Sequence, residues 1–334
     1  LSNYFVREVY EQEIFNTDVV NGIPSNIPTL SLAFYPRERG PYNFDINGLD
    51  TKGFLQNPSS RWGGIMRKLP VTDFEASNIS YIEFWMMDPF VYDSTSTGGD
   101  FYIDLGDISE DILRDGRKEF EQGLPTSANV TNVDTTAWGR IPTVQSLVNA
   151  FDNDPGSRRF QDVGFDGLSD DDEKSFFASY VSALESKLEP GSTALTNAEK
   201  DPSGDDYHFY KGSDYDQQEV GVLDRYKNFN GPDGNSSTDS PDGYSTAATS
   251  YPDMEDINGD NTMDDAESYF QYKVHLSPQS LQIGKNYVTD IKNTTVDLAN
   301  GTKGHVKWYQ FKVPISGYQS VVGSIQDFKS IRFM

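Results

Sequence analysis

The chain has no cysteine, which excludes disulfides, thiolate metal sites and a thiol nucleophile, and leaves the redox compartment open. Positive charge is scarce. Against 52 Asp and Glu stand 27 Lys and Arg, a formal net charge of −25, and the basic residues form no cluster. A protein that neutralises phosphates needs a basic footprint, so nucleic acid is excluded as a partner. The three histidines, His208, His275 and His305, fall in unrelated contexts, and neither Gly-x-Gly-x-x-Gly nor Gly-Lys-Ser/Thr phosphate loops occur. So many acids offer many carboxylate pairs, but no local signature singles one out as a glycosidase pair. The chain therefore reads as no enzyme. No run approaches the ~18 apolar residues of a membrane helix.

What is present is aromatic and acidic. Phe, Tyr and Trp make up 13% of 334 residues, too much for a disordered acidic polymer and enough for a substantial core. The first residues, Leu1 to Glu8, show no initiator Met and no signal-peptide pattern, and Ser330 to Met334 read as an interrupted strand. Both ends are those expected of a piece of a longer chain.

Charge is unevenly placed. Between Phe151 and Phe270 there are 28 acidic and 8 basic residues, most of the excess in the whole chain. We therefore expect a body formed by 1–140 and 269–334 and an acidic insert over 141–268. Within the insert, 228–244 is rich in Gly, Pro, Asp and Ser and is expected to be a flexible exposed segment.

The body reads as β. Ile79 to Met87 is apolar on both parities apart from Ser80 and Glu83, as in a strand covered on both faces, with Trp85 expected in the core. Tyr269 to Leu276 and Lys303 to Val313 alternate more cleanly, and Phe101 to Leu105 and Ser330 to Phe333 are shorter candidates. Turn pairs such as Asn47-Gly48 and Asn300-Gly301 between such runs suit an antiparallel, jelly-roll-like β-sandwich. Helices are expected over Ile108 to Gln122, Val144 to Phe151 and Glu173 to Leu188, from apolar residues at helical spacing.

The sharpest chemical signal is a pair of twelve-residue acidic loops in the insert. Calcium takes six to eight hard oxygens, which a twelve-position loop supplies from positions 1, 3, 5, 7, 9 and 12. In the second loop these are Asp256, Asn258, Asp260, Thr262 (through its carbonyl), Asp264 and Glu267. Asn261 holds position 6, where Gly is usual, and is the next best residue for the positive φ required there. The first loop offers Asp162, Asp166, the Leu168 carbonyl, Asp170 and Glu173, with Gly167 at the bend. Gly164 leaves its position 3 without a side-chain ligand, to be replaced by water or a neighbouring carboxylate such as Asp171 or Asp172. Neither loop sits in a paired helix-loop-helix sensor, so bound Ca2+ would act as a structural staple. The alternative is that the loops are solvated acidic surface.

Three strings carry a resemblance: Leu32 to Phe44 (Leu-Ala-Phe-Tyr-Pro-Arg-Glu-Arg-Gly-Pro-Tyr-Asn-Phe), Arg61 to Arg67 (Arg-Trp-Gly-Gly-Ile-Met-Arg), and Asn78 to Phe90. They resemble the SprA/Sov family, and the Asp256 loop followed by Tyr269 to Tyr272, and Phe328 to Met334, fit as well. The resemblance spans most of the body and a small part of the family's much longer chain. It implies membership of the giant outer-membrane translocon of the type IX secretion system, which also serves gliding motility. The implied partners are the rest of the translocon barrel, its accessory proteins and secreted cargo. Glu83 and Lys307 interrupt any lipid-facing parity, so the piece is expected to be a soluble insertion without a direct membrane span, at the cell surface rather than in the periplasm. No catalytic residues transfer with the resemblance, and the expected role is structural or gating. The rival reading is a calcium-dependent carbohydrate-binding or adhesive module, which would place Trp62, Trp85, Trp138 and Trp308 in an exposed groove rather than in the core.

Overall fold

The computed structural model describes residues 2–17, 22, 24–144, 150–228 and 251–334. Among them run strands β1 (Tyr81–Met87), β2 (Gly99–Asp107), β3 (Val133–Thr135), β4 (Arg140–Pro142), β5 (Ser268–Leu276), β6 (Val288–Asp297), β7 (Lys303–Pro314) and β8 (Ser320–Val322). The helices are short: α1 (Pro155–Arg158), α2 (Asp170–Phe176), α3 (Ala178–Lys187), α4 (Thr193–Lys200), α5 (Ser213–Gln217) and α6 (Val222–Tyr226). The chain divides into two compact units. One comprises Leu1–Leu32, Met66–Ser109 and Asp265–Met334, the other Ala33–Ile65 and Glu110–Asp264.

The first unit is built from two three-stranded antiparallel sheets, ordered β1-β7-β6 and β2-β5-β8. Alternation decides which side chains enter the core. Along β5, Phe270, Tyr272 and Val274 are buried while Lys273 and His275 point outward. These join Leu105 of β2 and Tyr309, Phe311 and Val313 of β7 in one apolar cluster drawn from both sheets. Phe311 and its register partner Phe84 stack at 4.9 Å.

Strand β7 is apolar on both parities because it serves two cores. Val306 and Trp308 face a second cluster with Val9, Ile14 and Val296, against which Trp85 and Met87 of β1 pack. Successive strand residues face opposite sides, so β1 and β7 are covered on both faces, at opposite ends. A bidentate Arg7–Glu13 pair, at 2.6 and 2.7 Å, borders this second cluster, and the Trp308 indole donates to Glu13 at 3.3 Å. The chain end at Ser330 to Phe333 forms isolated bridges, Lys68 with Phe333 and Gly106 with Phe333, rather than a full strand; Ile331 and Phe333 are wholly buried.

The second unit holds the six helices and the β3–β4 hairpin around a cluster that includes Leu49, Leu168, Phe177, Tyr180 and Leu184. The expected helix over Glu173 to Leu188 is broken at Phe177, whose φ of −95° and ψ of 19° separate α2 from α3. The helix expected over Ile108 to Gln122 does not form. Side-chain carboxylates take its backbone amides: Asp111 accepts from Asp115 and Gly116, and Glu255 from Leu113 and Glu119. Such local bonds compete with the helical ladder, and Arg114 takes φ 57°. The expected helix Val144 to Phe151 has residues 145–149 outside the described residues, as does 229–244 of the segment expected to be flexible.

Candidate metal centre

The first acidic loop is shaped by two glycines. Gly167 adopts φ 60°, which L side chains rarely take. Gly139, in the β3–β4 turn, lies so close to Asp166 that a Cβ there would meet the Asp166 carbonyl oxygen at 2.1 Å. That approach lets the Arg140 amide donate to the same carbonyl at 2.8 Å, fixing Asp166 against the hairpin. Glu173 is placed by the first turn of α2, where four consecutive acids complement the helix dipole.

The loop's expected ligands are not all brought together. Asp166 and Glu173 converge, but the third carboxylate is Asp205, from a different segment. The three residues each offer an oxygen within 4.8 Å of the others, and all are buried. Among the described residues this is the group of carboxylates that could hold a metal. Asp162 is turned onto Arg158 at 3.1 Å, Asp170 is exposed at the start of α2, and the Leu168 side chain is buried in the apolar cluster. Asp205 lies in the run Asp201-Pro-Ser-Gly-Asp-Asp206. That run's Gly and paired acids were its only sequence signal.

Ser203 links the site. Its amide donates to Glu173 at 3.0 Å and its hydroxyl donates to Asp166, whose other oxygen accepts from the Leu168 amide at 2.9 Å. Asp201 closes the turn by accepting from the Gly204 amide at 2.5 Å and the Asp205 amide at 3.3 Å. Residues 39–42 brace this turn from outside. Arg39 donates to Tyr180 Oη and to the Pro202 carbonyl, both at 2.7 Å, and the Tyr42 amide donates to the Ser203 carbonyl at 2.7 Å. The Tyr42 hydroxyl hydrogen-bonds the Asp205 carboxyl and accepts from the Phe165 amide.

Burial, reinforced by mutual repulsion, disfavours charge on all three carboxyls. It pushes Asp166 up to about 7 and Glu173 up to about 9, and holds Asp205 well above the usual carboxylate range. A divalent cation held there would relieve this repulsion by supplying positive charge.

The second loop has a different partner. Asp256 accepts from the amides of Gly259, Asp260 and Asn261, at 2.7, 3.1 and 2.8 Å, and Asn261 has the expected positive φ of 68°. The loop is thus bent as its spacing predicts. Lys118 lies beside the loop, and its ammonium meets Asp256 at 3.1 Å. Glu110, fully buried, takes the amides of Asn258 at 3.0 Å and Asp264 at 3.2 Å. Asn258 also donates to Asp264 at 3.1 Å, Thr262 donates to Asp260, and Glu267 is exposed. Sequence reasoning missed both Lys118 and Glu110, which lie far away along the chain.

Replacing Lys118 with methionine leaves the buried Asp256 carboxylate without its ion-pair partner. In chelator this should lower stability by about 3 kcal/mol in urea unfolding. Added calcium should restore part of the loss by taking the ammonium's place, and equal stability of the two chains in chelator would refute the role given to Lys118.

Three of the four tryptophans are packed: Trp308 is buried, Trp85 packs against the same cluster, and Trp138 lies 5.9 Å from the Phe44 ring. Trp62 is 79% exposed. Among the described residues no helix is long and apolar enough to cross a membrane.

Residues 179–334, a little under half of the chain, match the family model SprA_N, described as a motility related/secretion protein. Over these residues the chain is similar to the SprA family. No curated protein matches it. The matched part contains Asp205 and the whole second loop, whereas Asp166 and Glu173 lie just before it. Similarity to a motility and secretion family points to partners in a secretion system and to association with the cell envelope.

Proposed function

We propose that the chain is a non-catalytic, calcium-stabilised domain of the outer-membrane channel of type IX secretion, with a structural or gating role in protein export and gliding motility. The observation that carries this is the family match over 179–334. The two antiparallel sheets with a shared core fit a jelly-roll-like sandwich body, and the buried carboxylates of the second unit fit a domain held by calcium. On this reading the domain stands at the cell surface, in contact with the barrel, its accessory proteins and passing cargo. Packing of Trp85, Trp138 and Trp308 leaves Trp62 as the exposed tryptophan, which weakens the carbohydrate-binding alternative.

The test is an in-frame deletion of this segment from the parent chain, reading cargo released to the medium and colony spreading. Both should fall at least tenfold with the barrel still present in the outer membrane. Undiminished export and spreading would refute the proposal, and retention of the purified chain on polysaccharide resin would favour the carbohydrate-binding alternative.

A further inference from the structure

Resting on the calcium reading above, we propose that a single calcium ion is held jointly by Asp166, Glu173 and Asp205, so that the ion clasps the first loop and α2 to the Asp201–Asp206 turn. The ligand set then differs from the one the twelve-residue spacing defines, because Asp205 replaces Asp162 and Asp170.

Four observations converge. The three carboxylates offer oxygens within 4.8 Å of one another. Oxygens gathered this closely can close on one ion, and three carboxylates from separate segments suit the flexible coordination of calcium better than the near-ideal octahedron magnesium demands. The Asp205 side chain is only 4% exposed, yet its Oδ2 has no hydrogen-bond partner among the described residues. A buried carboxylate oxygen left without a donor is costly, and a cation is the partner its chemistry asks for. Arg140, whose charge acts on Asp166, is paired at 2.9 Å with Asp172. Finally, the donors are all oxygen, with no histidine or cysteine in the group, which selects a hard cation.

The contrast with the second loop sharpens the assignment. There Asp256 already has the Lys118 ammonium, so that loop has its positive charge built in. The clasp joins Asp205, inside the family-matched segment, to Asp166 and Glu173, which precede it. Arg39 and Tyr42 are positioning residues: they brace the turn that carries Asp205.

The experiment is calcium titration calorimetry on the whole 334-residue chain, together with terbium luminescence excited through tyrosine. The wild-type chain should bind one calcium ion, with magnesium at least a hundredfold weaker. Asp205→Asn should weaken calcium binding at least tenfold, and Glu267→Gln should leave it unchanged. Because Tyr42 touches the Asp205 carboxyl, Tyr42→Phe should remove most of the sensitised terbium emission while terbium still binds, a readout that holds even if Asp205→Asn fails to fold. Calcium binding that survives Asp205→Asn, or emission that survives Tyr42→Phe, would overturn the clasp and leave the calcium reading standing. No calcium binding by the wild-type chain would overturn both.

Discussion

Phe311→Ala should cost about 3–5 kcal/mol in urea unfolding, the range for removing a large aromatic from a packed core. Phe311 is wholly buried, sits in the middle of β7 between β1 and β6, and stacks on Phe84 at 4.9 Å. Its loss removes a fully buried ring from the apolar cluster that the two sheets share. Phe84→Ala should cost less, because Phe84 is only half-buried. A cost for Phe311→Ala below ~1.5 kcal/mol would mean that the shared core is not what holds the sheets together.

The second large effect is electrostatic. Glu119 is fully buried and neither carboxylate oxygen has a hydrogen-bond partner among the described residues. Burial first, then the charges of Asp115 and Glu255, push its carboxyl up to about 9. Between the ordinary value of 4.5 and about 9 the folded chain keeps a proton that the unfolded chain has lost. Stability therefore falls as pH rises through that window, by at most about 1.4 kcal/mol per pH unit for one such group. Glu255, raised to about 7 by burial, adds to the fall between 4.5 and 7. Glu119→Gln removes the titrating group while keeping the shape, so the variant should be more stable than the parent at pH 8 and show a flatter profile from pH 5 to 9. The measurement is the urea midpoint at each pH and constant free calcium; parallel profiles for the two chains would show that Glu119 is not a neutral buried acid.

Much of the first unit was legible along the chain. Alternation in Tyr269 to Leu276 and Lys303 to Val313 marks β5 and β7, and the two-sided apolar run in Ile79 to Met87 marks a strand covered on both faces. Strand residues alternate by two whatever they pair with, so the pattern survives without knowledge of the partner. The helix expected over Ile108 to Gln122 failed for the converse reason. Its amides are claimed by Asp111 nearby and by Glu255, more than a hundred residues away, and helical spacing carries no record of such a competitor.

The acidic loops divide in the same way. The sequence by itself determined that the second loop would bend at Asn261, that Asp166 and Glu173 would share a turn and the helix leaving it, and that acid would be concentrated in one stretch. Only the tertiary structure decided which acids meet a partner. Asp205 reaches Asp166 and Glu173 because residues 39–42 brace its turn, and Lys118 reaches Asp256 because the Glu110 to Glu121 segment is held against the second loop. Local spacing fixes backbone bends within a few residues, where sterics act. The charge that neutralises a buried carboxylate has to arrive within a few ångströms from any part of the chain, and that proximity exists only once the chain has folded.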